Sequence, residues 1–188
     1  MNRRTAVVLT LTVTSLMTLA SLALFESPAR AHGNAVMPAP APASAQSGLA
    51  RIVREATAAY RDVDAAMAAG YVPATPCVTG PEEGAMGFHY ARPELIGDGV
   101  LDPETPEILM YEQTASGELR LLGVEYVAIA DAWDAHHDGP ATLEGHLFHF
   151  SGAPNRYRLP AFYALHVWAW KHNPKGTYVN WNPLVACN

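Results

Sequence analysis

Only two cysteines, Cys77 and Cys187, occur in this chain of 188 residues, and they stand near the two ends of the region that reads as folded. Joined to each other, they exclude every arrangement in which the start and the finish of that region lie far apart, because a disulfide holds its Cα atoms within about 7 Å. The N-terminus decides whether they meet an oxidising compartment. Arg3 and Arg4 precede an uncharged run from Ala6 to Phe25, and Ala29-Arg30-Ala31 follows. That order is the signature of a secretory leader with a small-x-small cleavage site, so residues 1–31 are expected to be a signal peptide and the protein to be periplasmic or secreted. In such a compartment one Cys77–Cys187 disulfide is the expected state, with a two-cysteine metal site as the alternative. Closing a loop of that length stabilises by about 4–5 kcal/mol on the chain-entropy account.

Cleavage after Ala31 leaves 157 residues, enough for one domain with a core of its own. It leaves nine basic and seventeen acidic residues, a net charge of −8 with histidines neutral. Such a surface repels phosphate backbones and anionic lipid, so neither nucleic acid nor a stable membrane association after leader removal is expected. The expected partner is a small-molecule ligand or substrate. Residues 32–47, rich in Ala, Pro and Ser and without a hydrophobic period, read as a flexible tether.

The remainder, residues 48–188, reads as a single α+β domain: an N-terminal amphipathic helix packed on an antiparallel β-sheet or partly open barrel, with long loops. Leu49, Ile52, Val53, Ala56, Tyr60, Val63 and Met67 recur at spacings of three and four, which predicts one continuous helix capped by Ser47 and ended by Gly70. Strands are expected at Met86–Tyr90, Ile108–Glu112, Leu119–Ala130 and Tyr163–Trp170, the second and third joined by a hairpin through "TASGE". The long stretch from 131 to 160 is an excursion before the last strand, of a length that is usually functional or partly structured.

Strand alternation places residues i and i+2 on one face. In the last strand His166 shares a face with Trp168 and Trp170; in "LLGVEYVA" Glu125 shares one with Gly123; in "MGFHY" His89 shares one with Gly87. When the three faces coincide, His89, Glu125 and His166 converge from three strands. Two imidazoles and a carboxylate suit a divalent transition metal (iron, copper or zinc) with open coordination positions. The alternative is a buried hydrogen-bond network, since an interior carboxylate must be partnered. In "GHLFH", His146 is a candidate further ligand, and His149 lies three residues on. His136 and His137 read as an exposed loop and His172 as a backbone partner at a strand end. His32, the new N-terminus after cleavage, has the group types of a copper-chelating N-terminal histidine but sits on the tether. Tyr163 and Trp168, with Trp170 and Trp181, are candidates to wall a pocket for a ring, the alternative being that they are core and carry much of the buried area. No P-loop, dinucleotide glycine motif or nucleophile elbow is present in the sequence.

The blocks "GAMGFHY", "PEILMYE", "LRLLGVEYVA", "LHVWAW" and "NPKGTYVNWNPLVAC", with "AAYRDVDAAMAAGYVPATPCV" before them, resemble a widespread set of secreted bacterial proteins of unassigned function. The resemblance runs from about Ala50 to the last residue given. It implies that His89, Glu125, His166, Cys77 and Cys187 lie in signature blocks, and it supplies no activity. The function expected is that of an exported metal-binding protein, a metal-dependent enzyme of oxidoreductase or lyase/hydrolase type acting on a small, aromatic or similar, substrate. The alternatives are a non-catalytic metal- or ligand-binding module and a purely structural exported domain.

Overall fold

The structure, a computed structural model, describes residues 48–80 and 82–187. The expected leader and tether, and the Ser47 cap, lie outside the described residues. The chain begins with helix α1 (Gly48–Ala56), a 3₁₀ turn (Ala58–Arg61) and helix α2 (Val63–Ala68). Strands β1 (Val72–Gly80) and β2 (Gly84–Ala91) follow, then a short helix α3 (Pro93–Ile96), β3 (Ile108–Gln113) and β4 (Leu119–Ile129). After them come helix α4 (Ala130–Asp134), the short strands β5 (Thr142–Leu143), β6 (His146–Leu147) and β7 (His149–Ser151), and β8 (Phe162–Val167). The class is α+β. Six strands form one curled antiparallel sheet in the order β1-β2-β3-β4-β8-β7, and β5 pairs with β6 apart from it. No helix among the described residues is long and apolar enough to cross a membrane.

The continuous helix expected from 49 to 67 is instead broken twice. Thr57 Oγ1 turns back to the carbonyl of Val53 at 2.6 Å and receives the indole N–H of Trp170 at 3.0 Å, which diverts the helix at its ninth residue. Asp62 then takes an extended conformation and accepts the backbone N–H of Asp64, so it caps a new helix. The break shifts the inward-facing register: Ala66 is fully buried and Met67, expected on the apolar face, is 44 % exposed. Gly70 ends α2 at φ +98°, as its position suggested.

The four expected strands exist, with ends moved by a few residues. β1 was not expected, because Pro73 and Pro76 argue against a strand; it is an edge strand, where a missing N–H is tolerated. β7 at the other edge is only three residues long. The last strand stops at Val167. The N–H of Trp168 turns to Thr177, and those of Trp170 and Lys171 both reach the carbonyl of Leu122, so the expected alternation through Trp170 fails. Leu122 is able to receive both because it is the extra residue of a bulge: Met110 opposes Gly123, and Tyr111 opposes Leu121.

Both faces of the sheet are covered. On one, Leu109, Tyr111, Val124, Tyr126, Leu165 and Val167 form a cluster that also contains Leu49, Ala50 and Val53. On the other, Ala91, Ile108, Val127, Phe162 and Ala164 form a second cluster, and Ala85, Met110, Leu122, Trp168 and Val185 a third. Cys77 and Cys187 are bonded, joining β1 to the C-terminal segment. That segment also bridges the sheet backbone to backbone, Ala85 and Asn182 exchanging N–H···O bonds of 3.2 and 3.1 Å.

One buried carboxyl belongs to the frame. β4 runs past the point where β3 begins, and there the Val127 N–H is met by Oε2 of Glu107 at 3.0 Å in place of a ladder carbonyl. Glu107 is 1 % exposed, and burial pushes its carboxyl up to about 8, the Val127 hydrogen bond opposing the shift. A carboxyl raised in the folded state takes up a proton on folding, so its contribution is fullest below pH 4.5 and is lost as the pH rises through about 8. Glu107→Gln should therefore gain on the wild-type protein across that window, by up to about 1.4 kcal/mol per pH unit, in urea melts taken from pH 5 to pH 9. A Cβ at Gly123 would lie 2.1 Å from the Val167 carbonyl oxygen, whereas one at Gly139 meets nothing within 4 Å. Gly123→Ala is expected to cost about 2–4 kcal/mol in the same melts, and Gly139→Ala to change stability by less than about 0.5 kcal/mol.

Candidate metal centre and its cavity

Register alone accounts for the meeting of the three expected residues. Glu125 on the central strand β4 lies opposite His166 of β8 on one side and Ile108 of β3 on the other. His89 of β2 lies opposite Met110, which lies opposite Gly123. Pairs directly opposite share a face, so His89, Glu125 and His166 point the same way, between the second and third apolar clusters. Gly87 and Gly123, each two residues before a site residue, serve backbone proximity: Gly87 has φ +91° and a Cβ there would lie 2.2 Å from the Tyr111 carbonyl oxygen.

All three side chains are buried, at 3 %, 8 % and 2 % exposure for His89, Glu125 and His166. One ligand atom from each lies within 4.8 Å of the other two. His89 Nε2 is 3.4 Å from Glu125 Oε2, and His166 Nε2 is 3.7 Å from Oε1. The rings of the two histidines stand edge to face, centroids 6.4 Å apart. A charge-assisted N–H···O bond closes to about 2.7–2.9 Å, well inside both separations. Donors held at about 2.0–2.2 Å around a tetrahedral ion stand about 3.3–3.6 Å from each other, close to both. His166 is partnered least: neither buried ring nitrogen has a partner at full hydrogen-bonding distance, its polar neighbours being Glu125 at 3.7 Å and the Asn180 side chain. The group can hold a metal ion.

Electrostatics follow from burial. The Glu125 carboxyl is pushed up to about 8 by desolvation. Desolvation takes His89 down to about 4, with the Gly87 backbone opposing it. His166 falls to about 3, by desolvation first and then by the neighbouring imidazoles of His89 and His149, with Asn180 pulling the other way. Near neutral pH the metal-free site is thus two neutral imidazoles facing a protonated carboxyl. Neutral imidazole is the form that ligates metals.

His89 has a fixing partner that sequence reasoning missed, Thr75 of β1, whose Oγ1 is 3.1 Å from Nδ1. Thr75 also lines a cavity of about 130 Å³ on this face, with His89 and Glu125. The other walls are apolar or aromatic and include Ile108, Val127, Tyr157, Leu159 and Phe162. Phe162 was legible in principle, since it shares the alternation of His166 at a spacing of four. Tyr157 and Leu159 come from the excursion and carried no signal.

The remaining expected site residues lie elsewhere. His146 is not one of the group; its ring stacks on Tyr178 at 3.8 Å. Tyr163 and Trp168, expected as pocket walls, do not line the cavity. Tyr163 alternates onto the opposite face and donates its hydroxyl to Asp134 at 3.0 Å. Trp168, beyond the end of β8, is sealed among Ala85, Met110, Leu122 and Val185, with its indole N–H on the Val179 carbonyl at 2.6 Å. Trp170 packs with the helical cluster. His137 stacks on Trp133 at 3.6 Å, His149 is exposed on β7, and His172 is exposed, its carbonyl accepting from Asn182. Comparison with protein-family models, curated proteins and solved structures finds no match to this chain.

With a protonated Glu125 opposite Nε2, His89 is expected to carry its proton on Nδ1 and donate it to Thr75 Oγ1, leaving the Nε2 lone pair toward the group. Long-range proton–nitrogen spectra of the metal-free protein at pH 6.5 should show that tautomer, and Thr75→Val should populate the other.

Proposed function

We propose that this is an exported metal-binding protein in which His89, Glu125 and His166 ligate one divalent transition ion, iron, copper or zinc, and that it is a metal-dependent enzyme acting on a small molecule in the adjoining cavity. The observation that carries the reading is the pair of unpartnered buried nitrogens on His166 beside a buried carboxyl at ligand spacing. A structural network would close its hydrogen bonds, because an unmet buried donor or acceptor costs about 1–3 kcal/mol. Two nitrogen donors and one oxygen donor suit a borderline first-row ion better than calcium or magnesium. The Thr75–His89 contact is the kind of outer support that orients ligating imidazoles.

Three protein ligands leave coordination room, which is what separates a catalytic site from a closed structural one. His89 and Glu125 line the cavity and His166 does not, so the group opens on its His89–Glu125 side. A bound ion would act there as a Lewis acid on an oxygen of the substrate or of water. Export accords with the leader pattern and with the Cys77–Cys187 bond, which belongs to oxidising surroundings.

Elemental analysis of untagged protein purified without chelators should find close to one ion of iron, copper or zinc per chain. Zinc added to metal-free protein at about 100 times its Kd should raise the unfolding free energy by about 2.7 kcal/mol. His89→Ala and Glu125→Gln should each weaken binding by about 100-fold or more, beyond the 10–100-fold typical of supporting partners. Failure of the wild-type protein to take up any of the three ions, or full occupancy in His89→Ala, overturns the reading.

A further inference from the structure

The cavity beside the group restricts what can be bound there more sharply than the ligands do. Its volume, about 130 Å³, is near the ~150 Å³ that accommodates one benzene molecule in a protein interior. Its polar side chains are Thr75, His89, Glu125 and the hydroxyl-bearing Tyr157. The rest of the lining, Ile96, Ile108, Val127 and Phe162 among it, is apolar. Among the described residues no Lys or Arg lines it, so a charged group amid the apolar lining would be desolvated without a partner, which is strongly unfavourable.

We propose that the cavity binds a single ring-sized organic molecule, apolar over its body, with one oxygen function directed at the His89–Glu125 wall. A simple phenol or cyclic alcohol has this shape and polarity; sugars, amino acids and dicarboxylates do not. The inference deepens the metal-enzyme reading and rests on it for the direction in which the oxygen points. Size and apolarity rest on the cavity alone. Tyr157 sets the size limit from the excursion: its ring meets Phe162 edge to face, centroids 6.0 Å apart, and its hydroxyl lies 3.7 Å from the Met86 sulfur.

The test uses phenol, toluene, 4-hydroxybenzoate and 2-naphthol as probes, by calorimetry and ligand-observed NMR, on the metal-free and the zinc-loaded protein. Phenol should bind the zinc-loaded protein at about 0.1 mM, within the range open to a ligand of so few atoms. It should bind the metal-free protein about 10-fold more weakly, and toluene should show no metal dependence. On the metal-free protein 4-hydroxybenzoate should not bind, because its carboxylate would be desolvated with no cation to meet it. Ile96→Trp, which fills the cavity from a half-buried position, should weaken phenol by about 10-fold or more and leave zinc binding within about 2-fold. Tyr157→Ala should admit 2-naphthol, which the wild-type protein excludes; this gain does not depend on the folding of the filled variant.

The two readings fail separately. Phenol and toluene binding that Ile96→Trp abolishes, in a protein that takes up no metal, supports the cavity's size and apolarity while the metal centre falls. Zinc binding with no phenol binding, phenol binding untouched by Ile96→Trp, or 4-hydroxybenzoate binding the metal-free protein as well as phenol does overturns the proposal.

Discussion

A carboxyl and two imidazoles buried side by side on an apolar sheet are a standing electrostatic burden, and much of the frame can be understood as what makes that burden tolerable. Each group is stripped of water, and each gives up its charge in consequence: Glu125 is held protonated and the histidines neutral well away from their ordinary ranges. Neutralisation removes the ionic part of the penalty but leaves polar atoms in need of partners. Thr75 satisfies one of them; the His166 nitrogens have no partner at full hydrogen-bonding distance. Its donor atoms lie close enough together to hold a metal ion.

Such a site needs strands that do not slip. Moving a strand by one residue would turn its side chain to the other face, and β2, β4 and β8 each contribute one. The bulge at Leu122 and the close contacts at Gly87 and Gly123 make the register specific, because the neighbouring carbonyl occupies the space where any Cβ would sit. Leu122 also receives the chain as it leaves β8, so the end of the strand that carries His166 is tied to the strand that carries Glu125.

The strand segments around the site were readable because their alternation is clean: His89, Glu125 and His166 each stand in an apolar run, and period-two counting places them without reference to loops. The helical region was less readable. Apolar spacing continues unbroken from Leu49 to Met67; the second break is the local Asp62 cap, but the first is tertiary, set by a tryptophan 113 residues further along the chain that bonds to Thr57. Trp168 was misplaced for a related reason: nothing in "LHVWAW" marks where pairing stops, and the stop is decided by the carbonyls of Thr177 and Leu122. The cavity wall was the least legible part, since Tyr157 and Leu159 lie in a segment with neither period and Thr75 lies in a strand disguised by two prolines.

The disulfide orders events in time as well as atoms in space. Cys77 on the edge strand has no partner until residue 187 has been made, 110 residues later. A chain that stops between residues 77 and 187 carries a lone thiol on the segment that bears Thr75, and one that stops before residue 182 also lacks the Ala85–Asn182 bridge. An oxidised pair is consequently a mark that the chain has been made through residue 187. A thiol-reactive reagent would distinguish chains that hold both cysteines, bonded, from those that stop between them.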